Sequence, residues 1–183
     1  MAELINTNLI TCAQAGDHAA ITTIYESYHR DVYRYLFYRV GSEQMAEDLA
    51  AEVFLRVIEG LPRYSSGGVS FRAWVFRIAR NLAVDHYRRM KVRDHVGLNE
   101  KLADSSEDLE LLADRSLTVR HLQEALRRLT ADQCDVIIMR FIAEMPIAQV
   151  ARALGKSENA VKALQARGLS ALNQILSRRK VQL

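Results

Sequence analysis

The stretch FRAWVFRIARNLAVDHYRR, residues 71 to 89, sets five arginines beside a tryptophan, an asparagine and a tyrosine. Guanidinium groups suit phosphates, and an asparagine offers a donor and an acceptor to one base edge, so this is chemistry for a nucleic-acid strand. At helical spacing Phe71, Trp74, Val75, Ile78 and Leu82 form one apolar stripe, while Arg77, Arg80, Asn81, Val84 and Arg88 fall on or near the other side. An arginine-rich face is also what an ordinary solvated helix presents. The rest of the chain must decide between the two.

A second constellation lies upstream. Glu47, Asp48, Glu52 and Glu59 share the polar side of a helical pattern with Arg56, and Asp48, Glu52 and Arg56 recur every fourth residue along one stripe. Taken alone it is a solvated face, with a Glu52 to Arg56 pair contributing roughly 0.3 to 0.5 kcal/mol. The third is PIAQVARALGKSENAVKALQARG near the C-terminus. A short helix ends at Gly155, a tight turn passes Lys156, Ser157 caps again, and Val161 and Leu164 return to the apolar face. That is helix-turn-helix spacing. Ala151 permits a close helix crossing, Val161 anchors the second helix, and Lys162 and Arg167 point outward toward phosphates or base edges of a major groove. A plain helical hairpin matches the same pattern.

The elements that must position these groups are helical throughout. Asp17 caps a helix with Ile21, Ile24, Tyr25, Tyr28, Val32, Leu36 and Val40 on its apolar face, and Gly41 stops it. Ser42 starts the next, with Ala46, Leu49, Val53, Val57 and Leu61 inward and Gly60 and Pro62 at its end. The loop PRYSSGGVS follows, then Ser70 caps the arginine helix, which fades after Met90. An acidic stretch of weak periodicity comes next. Beyond it are LTVRHLQEALRRL, a helix opened by a Thr130 and Gln133 capping box, and the helix-turn-helix pair. No alternating strand pattern and no internal repeat occurs. The expectation is an all-α chain of two small helical domains, 1–92 and 116–183, joined by a flexible acidic linker over 93–115.

With 183 residues, 49% hydrophobic and 26% charged, the chain can bury a core, and its net charge of +3 permits a nucleic-acid partner without requiring one. Cys12 and Cys134 lie far apart, which suggests neither a zinc site nor a disulfide, and points to a reducing cytosol. No segment approaches bilayer-spanning length, so any membrane link is expected through a partner. Enzyme motifs are wanting. Glu26 and His29 form one ExxH with no second, ALGKSE lacks the first glycine of a phosphate loop, and no HExxH or GxSxG occurs. His29 is read as a polar-face residue, and neither a metal nor another cofactor is expected.

The order of AEDLAAEVFLRV, the arginine helix, an acidic linker and the C-terminal helix-turn-helix resembles the extracytoplasmic-function group of bacterial sigma factors, of the sigma-70 family, over nearly the whole chain. The resemblance implies a region 2 bundle and a region 4 helix-turn-helix, with core RNA polymerase and promoter DNA as partners. It also implies an anti-sigma factor, often membrane-anchored, that would hold an otherwise cytoplasmic protein at the membrane. By this likeness Asp48 and Glu52, with Arg56, face the polymerase, and Phe54 packs either there or inward. Ala51 stands where a glutamine is common in the family. Arg80 and Asn81, with Arg77 and Arg88, face the minus-ten element, and the loop bearing Tyr64 pockets a flipped base. Tyr64 is the stacking candidate, whereas Trp74 is assigned to the core.

In region 4 the matching minus-thirty-five positions are Lys162, Ala163, Ala166 and Arg167, with Ser157 at the start of the helix. The two alanines leave preference to Lys162, Gln165 and Arg167 or to DNA shape. Pro146 replaces the usual hydroxyl at the preceding helix start, where proline is tolerated. The competing expectations are a helix-turn-helix regulator with a helical sensing or dimerisation domain, and a helical adaptor whose basic helix is merely solvated.

Overall fold

The computed structural model describes residues 7–65, 69–95 and 110–180. Within them, eight α-helices order as α1 Thr7–Gln14, α2 His18–Val40, α3 Glu43–Gly60, α4 Phe71–His95, α5 Glu110–Arg127, α6 Ala131–Ile137, α7 Ile147–Leu154 and α8 Glu158–Lys180. Among the described residues there is no strand.

The helix boundaries follow from local chemistry. The Asp17 carboxylate accepts from the Ala19 N–H at 2.8 Å and so satisfies an orphan donor at the start of α2, an arrangement contributing about 1 kcal/mol. Gly41 ends α2 at φ 78°, a left-handed conformation that resists a side chain, and its N–H donates to the Phe37 carbonyl. Ser42 and Ser70 cap α3 and α4 through their hydroxyls. Thr130 and Gln133 form a reciprocal capping box on α6. Gly155, at φ 63°, closes α7 and makes the tight turn into α8.

Helix α1 was not expected. Its two apolar anchors, Ile10 and Ala13, give too short a period to stand out from the N-terminal sequence. It has a positioning role, because Gln14 donates from Nε2 to the carbonyls of Leu61 and Tyr64 and so pins the turn after α3. The expected helix over TADQCDVIIMRFIAE is also interrupted. After Ile137 the backbone widens into a π-turn over Ile138–Ile142, and Glu144 takes φ 53° before Pro146 opens α7.

Helices α1 to α4 form one bundle around Val32, Leu36, Val53, Val75 and Phe76, all buried. Helices α5 to α8 form a second around Val136, Met139, Val150 and Val161, where Gly168 lets α8 cross close to Ile137. The bundles pack on each other through α4 with α7, and α2 with α5 and the π-turn. Helix α4 continues past residue 92 and α5 begins inside the segment expected to be linker, whose remainder lies outside the described residues.

Candidate functional site

The arginine helix divides its cations in a way that periodicity does not reveal. Arg72 is buried at 8% exposure, where its Nη2 meets the Asp31 carboxylate at 2.7 Å and also donates to the Ala143 carbonyl of the second bundle. Arg77 is exposed and donates from Nη2 to the Arg152 carbonyl at the end of α7, 2.6 Å away. Arg80 reaches two carboxylates of α6, Asp135 at 3.0 Å and Asp132 at 3.1 Å. Asn81 and Arg88 face solvent, and Arg88 lies 3.7 Å from Asp85 of its own helix. The face read from the sequence is real at these positions. Its first half is covered by α6 and α7.

Asp135 is the centre of that cover. Its carboxylate has no exposure and accepts from Tyr35 Oη at 2.9 Å, Arg39 Nε at 2.8 Å and Arg80 Nε at 3.0 Å. Desolvating an anion is costly unless it is paired and hydrogen-bonded, and here two guanidiniums and a phenol supply three donors. Burial and the adjacent Asp135 hold the Tyr35 hydroxyl well above its ordinary range, so it remains a donor. Burial alone would lower the Arg39 pKa, but Asp135 more than reverses this and fixes the cation, whose guanidinium also lies 4.6 Å from the Tyr87 ring centre. Asp132 is shared between Arg80 and Lys156 of the helix-turn-helix turn, at 2.9 Å from Lys156 Nζ, and the Lys156 hydrogen bond leads in holding its carboxyl below the usual range.

In the acidic constellation Asp48 is exposed, and Glu52 and Arg56 pair at 2.9 Å with both side chains near half exposure. Of the two packings expected for Phe54 the structure shows the inward one: the ring is 5% exposed and packs on the rings of Tyr25 and His29, so it positions α3. His29 is correspondingly half-buried in an aromatic row and is no polar-face residue. The sequence reading passed over Leu55 and Ile58, which stand 56% and 46% exposed beside the acidic stripe. Their signal was an apolar excess outside the inner stripe of α3.

Tyr64 and Trp74 belong to one aromatic cluster with Phe71, with ring centres 5.0 to 5.3 Å apart. The Tyr64 hydroxyl donates to the Val69 carbonyl at 2.8 Å, so this tyrosine ties the loop ends together. Residues 66–68 of that loop lie outside the described residues.

At the C-terminal pair, Ala151 and Val161 are buried at the helix crossing, as the spacing required. Ser157 caps α8 with its hydroxyl, accepting from Ala160 N–H at 3.2 Å, which places it as a helix-start residue. Lys162, Ala163, Ala166 and Arg167 are exposed along one face. Gln165 is half-buried, its Oε1 accepting from Arg140 Nε at 3.2 Å, so that side chain braces α8 and does not share the outward face. No group of metal-ligating side chains occurs among the described residues, and no described helix is long and apolar enough to cross a membrane.

Comparison with known proteins gives two family matches, sigma-70 region 2 over residues 24–93 and sigma-70 region 4 over residues 120–172. The chain is 38% identical over 173 residues to the ECF RNA polymerase sigma factor BldN of Streptomyces coelicolor, covering 92% of this chain and 64% of BldN. It is 36% identical over 157 residues to the ECF RNA polymerase sigma factor SigX of Bacillus subtilis, covering 82% of this chain and 80% of SigX. Among solved structures, CnrH in complex with the cytosolic domain of CnrY superposes with a TM-score of 0.75 at 22% identity, covering 93% of this chain and 96% of that one, which establishes a common fold.

Proposed function

The chain belongs to the extracytoplasmic-function group of the sigma-70 family, and from that premise we propose that it binds core RNA polymerase and directs promoter-specific initiation. The observation that carries this is the joint occurrence of both sigma regions, in order, on one chain. A regulator with a sensing domain would have no use for the first of them. Sigma factors are initiation factors, and the polymerase supplies the chemistry.

The work divides between the two bundles, α1 to α4 and α5 to α8. On α3, Asp48, Glu52 and Arg56 supply charge, and exposed Leu55 and Ile58 supply apolar area, for docking on polymerase. On α4, Arg77, Arg80, Asn81 and Arg88 form the surface for the unpaired minus-ten strand, with Tyr64 holding the adjoining loop. On α8, Lys162 and Arg167 supply cations to the minus-thirty-five groove, while Ala163 and Ala166 offer methyl surface. Promoter and polymerase are thus the partners. An anti-sigma factor is proposed as the third, and it would be the route to any membrane association of a cytoplasmic protein.

The test is capture of core RNA polymerase by the purified chain, followed by run-off transcription. Initiation at discrete start sites that appear only when the chain is added supports the reading. A chain that binds DNA without core polymerase and adds no start sites contradicts it.

A further inference from the structure

A cleft of about 560 Å³ lies between α2 on one side and the π-turn with the start of α7 on the other, away from the faces assigned to polymerase and promoter. Arg72 of α4, 8% exposed, reaches its lining. Nη2 of that side chain is taken by Asp31 and the Ala143 carbonyl. Its Nε is buried with no hydrogen-bond partner among the described residues, and so is Oε1 of Gln149. A buried donor and a buried acceptor left unmet are each costly, and native folds keep few of them. A ligand that offers an acceptor to Arg72 and a donor to Gln149 meets both at once.

The charges around these two atoms divide in the same sense. Arg30 and Arg34 of α2 stand one helical turn apart in the lining, and neither makes an ion pair among the described residues. Glu144 of the facing turn is likewise unpaired there, and it holds a left-handed backbone at φ 53°, a position where conformation alone favours glycine. Three arginines and three carboxylates line the cleft, so it carries no net charge and does not favour a polyanion. Ile142 and Pro146 add apolar surface.

We propose that this cleft binds a small zwitterion, an α-ammonium carboxylate of the free amino acid class. Its carboxylate accepts from Arg72 Nε and pairs with Arg34 and Arg30. Its ammonium donates to Gln149 Oε1 and pairs with Glu144, and its side chain rests on Ile142 and Pro146. Charge-assisted hydrogen bonds at both ends of the ligand make recognition depend on both ends.

The test is a titration of the full-length, ¹⁵N-labelled chain with L-leucine, L-glutamate and L-lysine in turn, which cover apolar, acidic and basic side chains. The readout is the Arg72 Nε–H resonance, identified by its loss in Arg72→Lys. At least one probe is expected to move it with a Kd below about 1 mM. The N-acetyl and the carboxamide forms of that probe, each lacking one charge, are expected to bind at least about tenfold more weakly. Arg34→Met and Gln149→Leu, both at half-buried positions, are expected to weaken it to a similar degree with the fold intact by circular dichroism. No shift with any of the three at on the order of 10 mM overturns the proposal. So does unchanged affinity in either variant, and so does binding of inorganic phosphate or of the N-acetyl form as tight as that of the amino acid, which marks a site for anions alone.

Discussion

Arg80 and Asp135 are joined side chain to side chain at 3.0 Å across 55 residues of sequence, and the carboxylate has no exposure at all. One partner belongs to the helix proposed to face the minus-ten element, and the other to the bundle that carries the helix-turn-helix. A bond of this kind stabilises only while both halves are present. Removing Arg80 leaves the buried carboxylate held by Arg39 and Tyr35, whereas removing Asp135 takes from Arg39 and Arg80 the acceptor they share.

Reversing charge on α3 should weaken polymerase binding with little effect on the fold. Asp48 is exposed and Glu52 nearly so, and neither contributes to the core. Asp48→Arg with Glu52→Arg is expected to cost about 1 to 3 kcal/mol in core affinity, the lower part of the range for interfacial charges because these lie at a rim. Helical content and melting temperature should stay near those of the wild type. Surface plasmon resonance against immobilised core measures it, and equal affinities would remove the acidic stripe from the interface.

Replacing Lys162 or Arg167 by alanine should affect minus-thirty-five binding in one of two separable ways. A base contact costs roughly 1 to 3 kcal/mol and relaxes preference at one position. A phosphate contact lowers affinity for all sequences and flattens the salt dependence by about one unit of slope. Gln165→Ala is expected to act differently, lowering stability through its brace to Arg140. Holoenzyme titrations on variant promoters at several salt concentrations distinguish these outcomes.

Acid should weaken the contacts of Asp132, first with Lys156 of its own bundle and then with Arg80. The Lys156 hydrogen bond, with Arg80, holds its carboxyl below the ordinary 3.8, so this group contributes stability that is present above that value and lost as pH falls through the lower folded value. Thermal melts of the wild type and Asp132→Asn should therefore differ by a constant amount from neutrality down to about pH 5 and converge below about pH 4. A difference that persists undiminished at pH 3 would show that the carboxylate charge is not what Asp132 contributes.

The two cysteines should react at very different rates. Cys12 is exposed, whereas Cys134 is buried and burial pushes its thiol up to about 12, with nearby Arg39 only partly opposing. At pH 8 iodoacetamide is expected to modify Cys134 at least roughly a hundredfold more slowly than Cys12, through both a scarcer thiolate and lack of access. Mass spectrometry of tryptic peptides over time provides the rates, and comparable rates would mean that Cys134 is not enclosed.

What the sequence made legible was whatever local chemistry dictates. Asp17, Ser42, Ser70, the Thr130 and Gln133 box, Gly41 and Gly155 mark boundaries because a cap needs only its own turn. The outward face of α8 was legible for the same reason, since Ala151 and Val161 fix its rotation. Long-range pairs were not. Nothing local tells that Arg72 meets Asp31, that Arg80 meets Asp135, or that Gln165 turns back to Arg140. One signal was available and unused: Asp135 interrupts the apolar run CDVIIM, and a charge buried among such residues requires partners from elsewhere. Helix α1 escaped because two apolar residues do not establish a period.

The most direct measurement of the central claim is promoter opening by holoenzyme carrying Arg80→Ala and Asn81→Ala, followed by permanganate reactivity of unpaired thymines. Extruding bases from a duplex costs a few kcal/mol, which contacts from α4 must return once the strands part. At equal core occupancy the variant should open a matched promoter poorly, and a template mismatched across the minus-ten segment should restore part of the reactivity and of the run-off product. If the variant opens matched duplex as well as the wild type does, Arg80 serves only the contact with α6, Asn81 is only a solvated residue, and the assignment of this face to the promoter strand is wrong.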